Sequence, residues 1–158
     1  MRHSVTLAGV KKRESPARVK FRRFVIVFEL INPPGLEKPV GYSHMAAVSS
    51  GRLLLIAGQA PFDENGTVVG HGDFVAQFKQ VLENLRRAVE HAGGTPQSFA
   101  SLTMYVTDRE LYVASLKPIG AFYREIFGKH FPAITLVEVK GLYNPDCMVE
   151  ISGIAVTD

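Results

Sequence analysis

One stretch of the chain has a regular helical pattern of hydrophobic positions. Between Asp73 and Gly94, apolar residues recur at the i, i+3, i+4, i+7 spacing of an amphipathic helix. They are Phe74, Val75, Phe78, Val81, Leu82, Leu85, Ala88 and Val89. Asp73 is a typical N-cap residue, and Gly93-Gly94 is a typical helix end. The pattern therefore predicts a helix that begins after Asp73 and ends at Gly93.

Shorter runs, rich in β-branched and aromatic residues, predict strands. These runs cover residues 23–31, 42–49, 52–58, 99–108, 133–142 and 147–156. Ser50-Gly51 separates the second run from the third, which predicts a tight hairpin between them.

A second helix is predicted over residues 109–127, and it contains Pro118. Because proline has no N–H to donate, we expect either a kink there or two short helices. The order of elements is strand, two strands, helix, strand, helix, two strands. This order is typical of an α+β domain in which one mixed sheet is covered on one face by both helices.

The alternation within the last two strands predicts which face of the sheet meets the helices. We expect the small and β-branched sets to pack there: Val149, Ile151, Gly153 and Ala155, with Thr135, Val137 and Val139. The opposite face would then carry Ile134, Leu136, Met148 and Ile154 among Glu138, Glu150 and Ser152. An apolar patch of that kind usually marks an interaction surface, so we expect an oligomer with polar groups in a cleft between subunits.

Composition limits the function classes. At 158 residues, 46% hydrophobic and 21% charged, the chain has the size and composition of one globular domain. No apolar run approaches the ~20 residues of a membrane span. Cys147 has no second cysteine with which to form a disulfide, which fits the cytoplasm that we predict as the location. The five histidines lack ligand spacing and no nucleotide-binding motif is present, so we expect no metal and no cofactor.

Charge is unevenly distributed. Residues 1–30 contain eight Lys or Arg against two acids, whereas the remaining residues contain ten bases against thirteen acids. We therefore expect residues 1–22 to be a flexible basic extension and residues 23–158 to be the domain. A solvated tail, or an upstream extension from a misplaced start, is favoured over binding to an anionic surface and over organellar targeting. The mildly acidic body argues against specific nucleic-acid binding, and we expect no membrane partner.

Several segments together resemble the Rid family, also called YjgF or reactive intermediate deaminases. In chain order they are "GYSHMAAVSSGRLLLIAGQAP", "QFKQVLENLRRAVEHAGGT", "SLTMYVTD", "AFYREIFGKHFPA" and "VEISGIAV", and the resemblance covers about residues 24–156. It implies a chorismate-mutase-like βαββαβ fold and a homotrimer with small-molecule sites at the subunit interfaces. It also implies hydrolysis of imines and enamines, such as 2-aminoacrylate, to a 2-keto acid and ammonia.

The resemblance also implies roles for individual residues. Glu150 matches the carboxylate that positions a water, and it is the predicted catalytic residue. The predicted ligand-binding residues are Tyr42, Ala57, Gly58, Ile134, Leu136 and Ser152. Tyr42 matches a pocket tyrosine, and Gly58 matches a glycine whose backbone approaches the ligand. Ala57 and Ser152 replace the family's usual Ser and second acid.

Ile134 is the departure that bears most on the substrate. The resemblance implies that the best-studied branch of the family has an Arg there, which binds the substrate carboxylate with two parallel hydrogen bonds. One possibility is that another cation pairs with the substrate carboxylate, and the candidates are Lys140, Arg52 or a basic residue of a neighbouring subunit. The other is that the substrate carries no charge at this position. From the sequence the second reading is favoured, because a buried unpaired carboxylate costs several kcal/mol.

The leading functional prediction is a hydrolase of small imines or enamines whose preference differs from 2-aminoacrylate. A non-catalytic, ligand-binding or regulatory trimer is the alternative. RNA cleavage, attributed to some family members, is disfavoured by the acidic body.

Overall fold

A computed structural model describes residues 28–158 of the chain. The predicted extension, residues 1–22, lies outside the described residues. Six strands and three helices follow one another as β1 (Phe28–Ile31), β2 (Met45–Val48), β3 (Arg52–Gln59), α1 (Phe74–His91), β4 (Phe99–Val106), α2 (Arg109–Ala114), α3 (Leu116–Phe127), β5 (Ala133–Glu138) and β6 (Val149–Thr157). The predicted α+β class, with helices and a mixed sheet, is confirmed.

The six strands form two sheets rather than the single sheet expected. Four of them form a mixed sheet in the order β3-β6-β4-β5, in which β5 is parallel to β4 and the other neighbours are antiparallel. β1 and β2 form a separate antiparallel pair. One parallel bridge, between Ser43 and Ala133, connects the segment before β2 to the start of β5.

The predicted hairpin between the second and third strands is wrong. β2 pairs with β1 over the whole of its length, from Phe28 opposite Val48 to Ile31 opposite Met45. β3 pairs instead with β6. A Ser-Gly turn between two strand-forming runs lets the chain reverse, but it does not make the two runs share hydrogen bonds. The long pairing of β3 with β6 determines where β3 lies.

α1 is confirmed as predicted. It spans Phe74–His91, and the Asp73 side chain accepts a hydrogen bond of 3.1 Å from the backbone N–H of Ala76. Its apolar side packs against the sheet, with Phe74, Phe78, Val81, Leu82, Leu85 and Val89 all buried. Gly93 follows the helix with a φ of 86°, a left-handed conformation that glycine adopts without strain.

The second predicted helix is divided in two, as one of the two expectations allowed. α2 and α3 meet at Ser115, which is buried. Pro118 is the third residue of α3, in the first turn, where its missing N–H leaves no hydrogen bond unmade. α3 buries Ile119, Tyr123 and Phe127 against the core.

The face assigned to β5 from its alternation is wrong. In the register with β4, Ile134 lies opposite Leu102, and Leu136 lies opposite Met104. Leu102 and Met104 are buried core residues, and residues directly opposite each other share a face of a sheet. Ile134 and Leu136 therefore point toward the helices.

The sheet faces predicted for β6 and for Met148 have different outcomes. In β6 the prediction is confirmed, because Val149, Ile151 and Ala155 are all buried in the core. Met148, expected on the opposite face, instead packs against the core cluster. Alternation did not decide the faces of β5 because both of its alternating sets contain apolar side chains, and only the pairing register distinguishes them.

Candidate functional site

The seven predicted site residues lie in two groups on opposite faces of the four-stranded sheet. We call Ala57, Gly58, Glu150 and Ser152 the open-face group, because they lie on the face that the helices leave uncovered. On that face Glu150 is opposite Tyr105, and Ser152 is opposite Thr103. We call Tyr42, Ile134 and Leu136 the cleft group, because they line a cleft on the helix side of β5.

Within the open-face group, Gly58 and Glu150 are in direct contact. The pairing of β3 with β6 shifts register between Ile56 and Gln59, which places Gly58 beside Glu150. A Cβ added at Gly58 would overlap the Glu150 carboxylate, with Cδ only 2.7 Å and Cγ 3.0 Å away. The carboxylate thus occupies the space that any side chain at position 58 would need. The carboxylate can approach the backbone of β3 this closely because position 58 has no side chain.

Large apolar side chains surround the open-face group. Leu53 is 57% exposed, Leu55 79%, Ile154 40% and Val137 39%. A shallow concavity of about 360 Å³ lies among them, and its lining includes Leu55, Ala57, Ser101, Thr103, Ser152 and Ile154. A carboxylate beside so much exposed apolar surface is typical of a face that a protein partner covers.

The cleft group lines a larger cavity, of about 620 Å³. The cavity is bounded by β5, by the helices and by the connector before β2, which consists of residues 32–44. Its lining residues are Val40, Gly41, Tyr42, Phe78, Met104, Tyr112, Leu116, Ile119, Gly120, Tyr123, Arg124, Phe131, Ile134 and Leu136. This size suits a small organic ligand. Arg124 is the charged residue among these lining residues.

Three tyrosines give the cleft its neutral polar groups. The Tyr42 hydroxyl donates to the Glu37 carboxylate at 2.8 Å, and this hydrogen bond raises the pKa of Tyr42. The Tyr123 hydroxyl donates to the backbone oxygen of His130 at 2.9 Å, and burial raises its pKa. Burial also raises the pKa of Tyr112. All three hydroxyls therefore remain protonated at neutral pH.

Hydrogen bonds hold the connector before β2 against the start of β5. The backbone N–H of Ser43 donates to the Pro132 oxygen at 2.9 Å, and its hydroxyl donates to the Phe131 oxygen at 2.8 Å. Ser43 is buried. These two bonds keep the adjacent Tyr42 at the cleft, close in space to the strand that carries Ile134.

His130 anchors the same loop from the other side. Its Nε2 is 2.7 Å from the backbone oxygen of Phe99, and burial lowers the pKa of the imidazole. The ring is therefore neutral at pH 7 and donates its Nε2 proton to that oxygen. His130 thus has a structural role in placing β5.

Neither cation proposed from the sequence lines the cleft. Arg52 begins β3, where its Nη2 donates to the backbone oxygen of Ala92 at 2.6 Å. Lys140 lies beyond the end of β5. Arg124 was missed by the sequence reasoning, although one signal was present. It directly follows Tyr123 of the buried stripe on α3, so it lies at the edge of the face that packs on the sheet.

Two kinds of site are absent from residues 28–158. In that part of the chain, no three His, Cys, Asp or Glu side chains come together as metal ligands would. Nor does any helix there have the length and apolar character that crossing a membrane requires.

Comparison with known proteins identifies the family. The family model described as Endoribonuclease L-PSP matches residues 36–157, which include every residue of both groups. The chain belongs to the Rid (YjgF) family. A Rid family protein from Yersinia pestis, YyfB, is a similar solved structure, with a TM-score of 0.73 and 36% identity. That alignment covers 82% of this chain and 98% of the YyfB chain.

Curated Rid relatives include one with a named reaction. The 3-aminoacrylate deaminase RutC of Acinetobacter baylyi is 32% identical over 127 residues, which cover 80% of this chain and 96% of RutC. A RutC family protein from Pyrococcus horikoshii is 34% identical over 127 residues, with the same coverage of both chains. These Rid relatives support a deaminase-like function at the level of the family.

Proposed function

We propose that this Rid protein hydrolyses small imines or enamines at sites between the subunits of a homotrimer, and that Glu150 is the catalytic residue. The observation that carries the proposal is the contact of Glu150 with Gly58 on an apolar, uncovered face of the sheet. Gly58 leaves room for the carboxylate against β3, and a covering subunit would exclude bulk water around it.

The position of the cleft supports sharing of the site between subunits. The cleft group lies on the helix side of β5, whereas Glu150 lies on the other face of the same sheet. One ligand cannot contact both groups of one subunit through the sheet. In a ring of three subunits with head-to-tail contacts, the cleft of one subunit faces the open-face group of the next.

The reaction needs only a proton carrier and a water molecule. The Glu150 carboxylate accepts a proton from water as the oxygen bonds to the imine carbon, and it passes this proton to the imine nitrogen. The second proton of the water follows the same route from the new hydroxyl. The C–N bond then breaks, the C=O bond forms, and ammonia leaves. Glu150 ends the cycle ionised, as it began.

An imine-hydrolysis assay tests the proposal. An amino-acid oxidase generates imines from a panel of L-amino acids, and the release of ammonia is followed with and without the protein. We expect acceleration by the wild type and a loss of about 100-fold or more in Glu150→Gln, the range typical of removing a general base. Glu125→Gln, which changes an exposed carboxylate on α3, is the matched control and should keep full activity.

Circular dichroism and the unfolding midpoint of Glu150→Gln should match those of the wild type, which separates lost chemistry from lost folding. If the wild type accelerates the hydrolysis of no imine in the panel, the hydrolase proposal is wrong. Ligand binding without turnover would then favour a non-catalytic binding protein.

A further inference from the structure

Arg124 is the charged residue that lines the cleft, and it is free to bind an anion. Its side chain is exposed, and within residues 28–158 it forms no ion pair and no side-chain hydrogen bond. Its Nη1 lies 3.5 Å from the point where a side chain at Gly120 would begin. The guanidinium therefore lies back along α3, over the preceding turn, at the wall of the cleft.

The surroundings of Arg124 favour an anionic ligand. Glu37 lies within the connector that bounds the cleft, and its carboxylate accepts the Tyr42 hydroxyl and forms no ion pair with Arg124. The other polar groups of the lining are the hydroxyls of Tyr42, Tyr112 and Tyr123. Because Arg124 forms no ion pair with an acid of residues 28–158, its guanidinium can offer a carboxylate a bidentate partner.

The remainder of the wall is apolar. Ile134 and Leu136 of β5 and Leu116 of α3 line the same cavity as Arg124. A ligand whose carboxylate pairs with Arg124 would place its hydrocarbon part against these side chains. A cavity of about 620 Å³ leaves room for a branched or aromatic group in addition to the reacting carbon.

We propose that Arg124 of α3 binds the substrate carboxylate in place of the arginine that Ile134 replaces, and that the site takes 2-imino acids with large apolar side chains. This inference rests on the proposed function. It reverses the expectation of an uncharged substrate, which followed from Ile134 alone. Arg124 of α3 binds the carboxylate of the substrate, and Ile134 and Leu136 of β5 contact its apolar side chain.

Binding of a product analogue tests Arg124 without requiring turnover. The probe is 4-methyl-2-oxopentanoate, the 2-oxo acid that hydrolysis of the leucine imine would release, and its neutral methyl ester is the control ligand. By calorimetry we expect the wild type to bind the acid about tenfold or more tightly than the ester, because only the acid can form a charge-assisted bidentate pair with Arg124. Arg124→Gln should lose this preference and bind the ester as before.

Two further variants sharpen the result. Arg124→Lys keeps the charge but not the two-pronged geometry, so it should retain part of the preference. Arg87→Gln removes an exposed arginine on α1 that lies away from the cleft, and it should bind both ligands like the wild type. Equal affinity of wild type and Arg124→Gln for the acid would overturn the inference, as would binding of neither ligand by the wild type.

Kinetics distinguish the failure of this inference from the failure of the hydrolase proposal. With the leucine imine, Arg124→Gln should raise KM about tenfold or more, whereas Glu150→Gln should lower kcat. Unchanged kcat/KM in Arg124→Gln, with wild-type turnover intact, would reject the role of Arg124 and leave the hydrolase proposal standing. If the wild type binds the oxo acid through Arg124 but hydrolyses no imine, the hydrolase proposal is wrong and the role of Arg124 in binding stands.

Discussion

Glu150 and Gly58 constrain each other at the scale of single residues. The carboxylate fills the volume that a Cβ at position 58 would occupy, so a glycine there and an acid at 150 form one unit. Under the proposed function, Gly58 would therefore affect the reaction without a side chain of its own. An alanine at this position would have to displace the Glu150 carboxylate, whereas the backbone angles of Gly58 are not of the left-handed kind that favours glycine.

Gly58→Ala should therefore reduce activity by displacing the carboxylate. A misplacement of about 1 Å in a catalytic group lowers rates by about 100-fold, and we expect kcat/KM for imine hydrolysis to fall by that order. Gly141→Ala is the matched control, because a Cβ at Gly141 meets no atom within 4 Å. If Gly58→Ala retained wild-type kcat/KM, Glu150 would not act from the position that it occupies here.

The structure brings some of the predicted site residues together and separates others, for physical reasons. Glu150 and Gly58 were singled out by resemblance, and the structure brings them into contact. The resemblance predicts an altered position at Ile134, but the sequence does not reveal which charged residue lines the same cleft. That depends on how α3 lies over β5, so Arg124 emerges only from the packing of two elements distant in the chain.

At the scale of elements, the register of β5 decides on which face of the sheet Ile134 and Leu136 lie. β5 is a parallel edge strand whose two alternating sets both contain apolar residues, so the sequence alone left its orientation ambiguous. Pairing with β4 turns Ile134 and Leu136 toward the helices. α1 and β6 were predictable because each has one strongly apolar side and one polar or mixed side.

β3 presents the surface through which we expect subunits to associate. Leu55 is 79% exposed and lies opposite Ile154 on the uncovered face. Leu55→Lys should prevent association, because burying an unpaired ammonium costs far more than an apolar contact gains. Static light scattering should give the wild type a mass about three times that of the 17.4 kDa chain and the variant a mass near that of one chain.

Val113→Lys is the control for that measurement. Val113 is an exposed apolar residue of α2, on the helix side of the sheet, and its replacement should leave the mass unchanged. A wild-type mass of one chain, or an unchanged mass in Leu55→Lys, would count against the uncovered face as the interface.

At the scale of the whole molecule, the two groups of predicted site residues cannot meet within one chain. The four-stranded sheet lies between them, with Glu150 on one face and Ile134 on the other. An α+β fold with helices on one side and an apolar surface on the other was predictable from the order and alternation of the elements. The placement of Ile134 on the face opposite Glu150 was not predictable, because it depends on the register of β5.

Complementation between inactive variants measures most directly whether subunits share the site. Glu150→Gln lacks the proton carrier, and Ile134→Glu places an acid in the cleft, so each variant alone should be inactive. In a trimer that contains both, one interface in three joins an intact Glu150 to an intact cleft. Co-refolding equal amounts should therefore restore about a quarter of wild-type activity toward the leucine imine. No recovery in mixed trimers of confirmed mass would contradict a site shared between subunits.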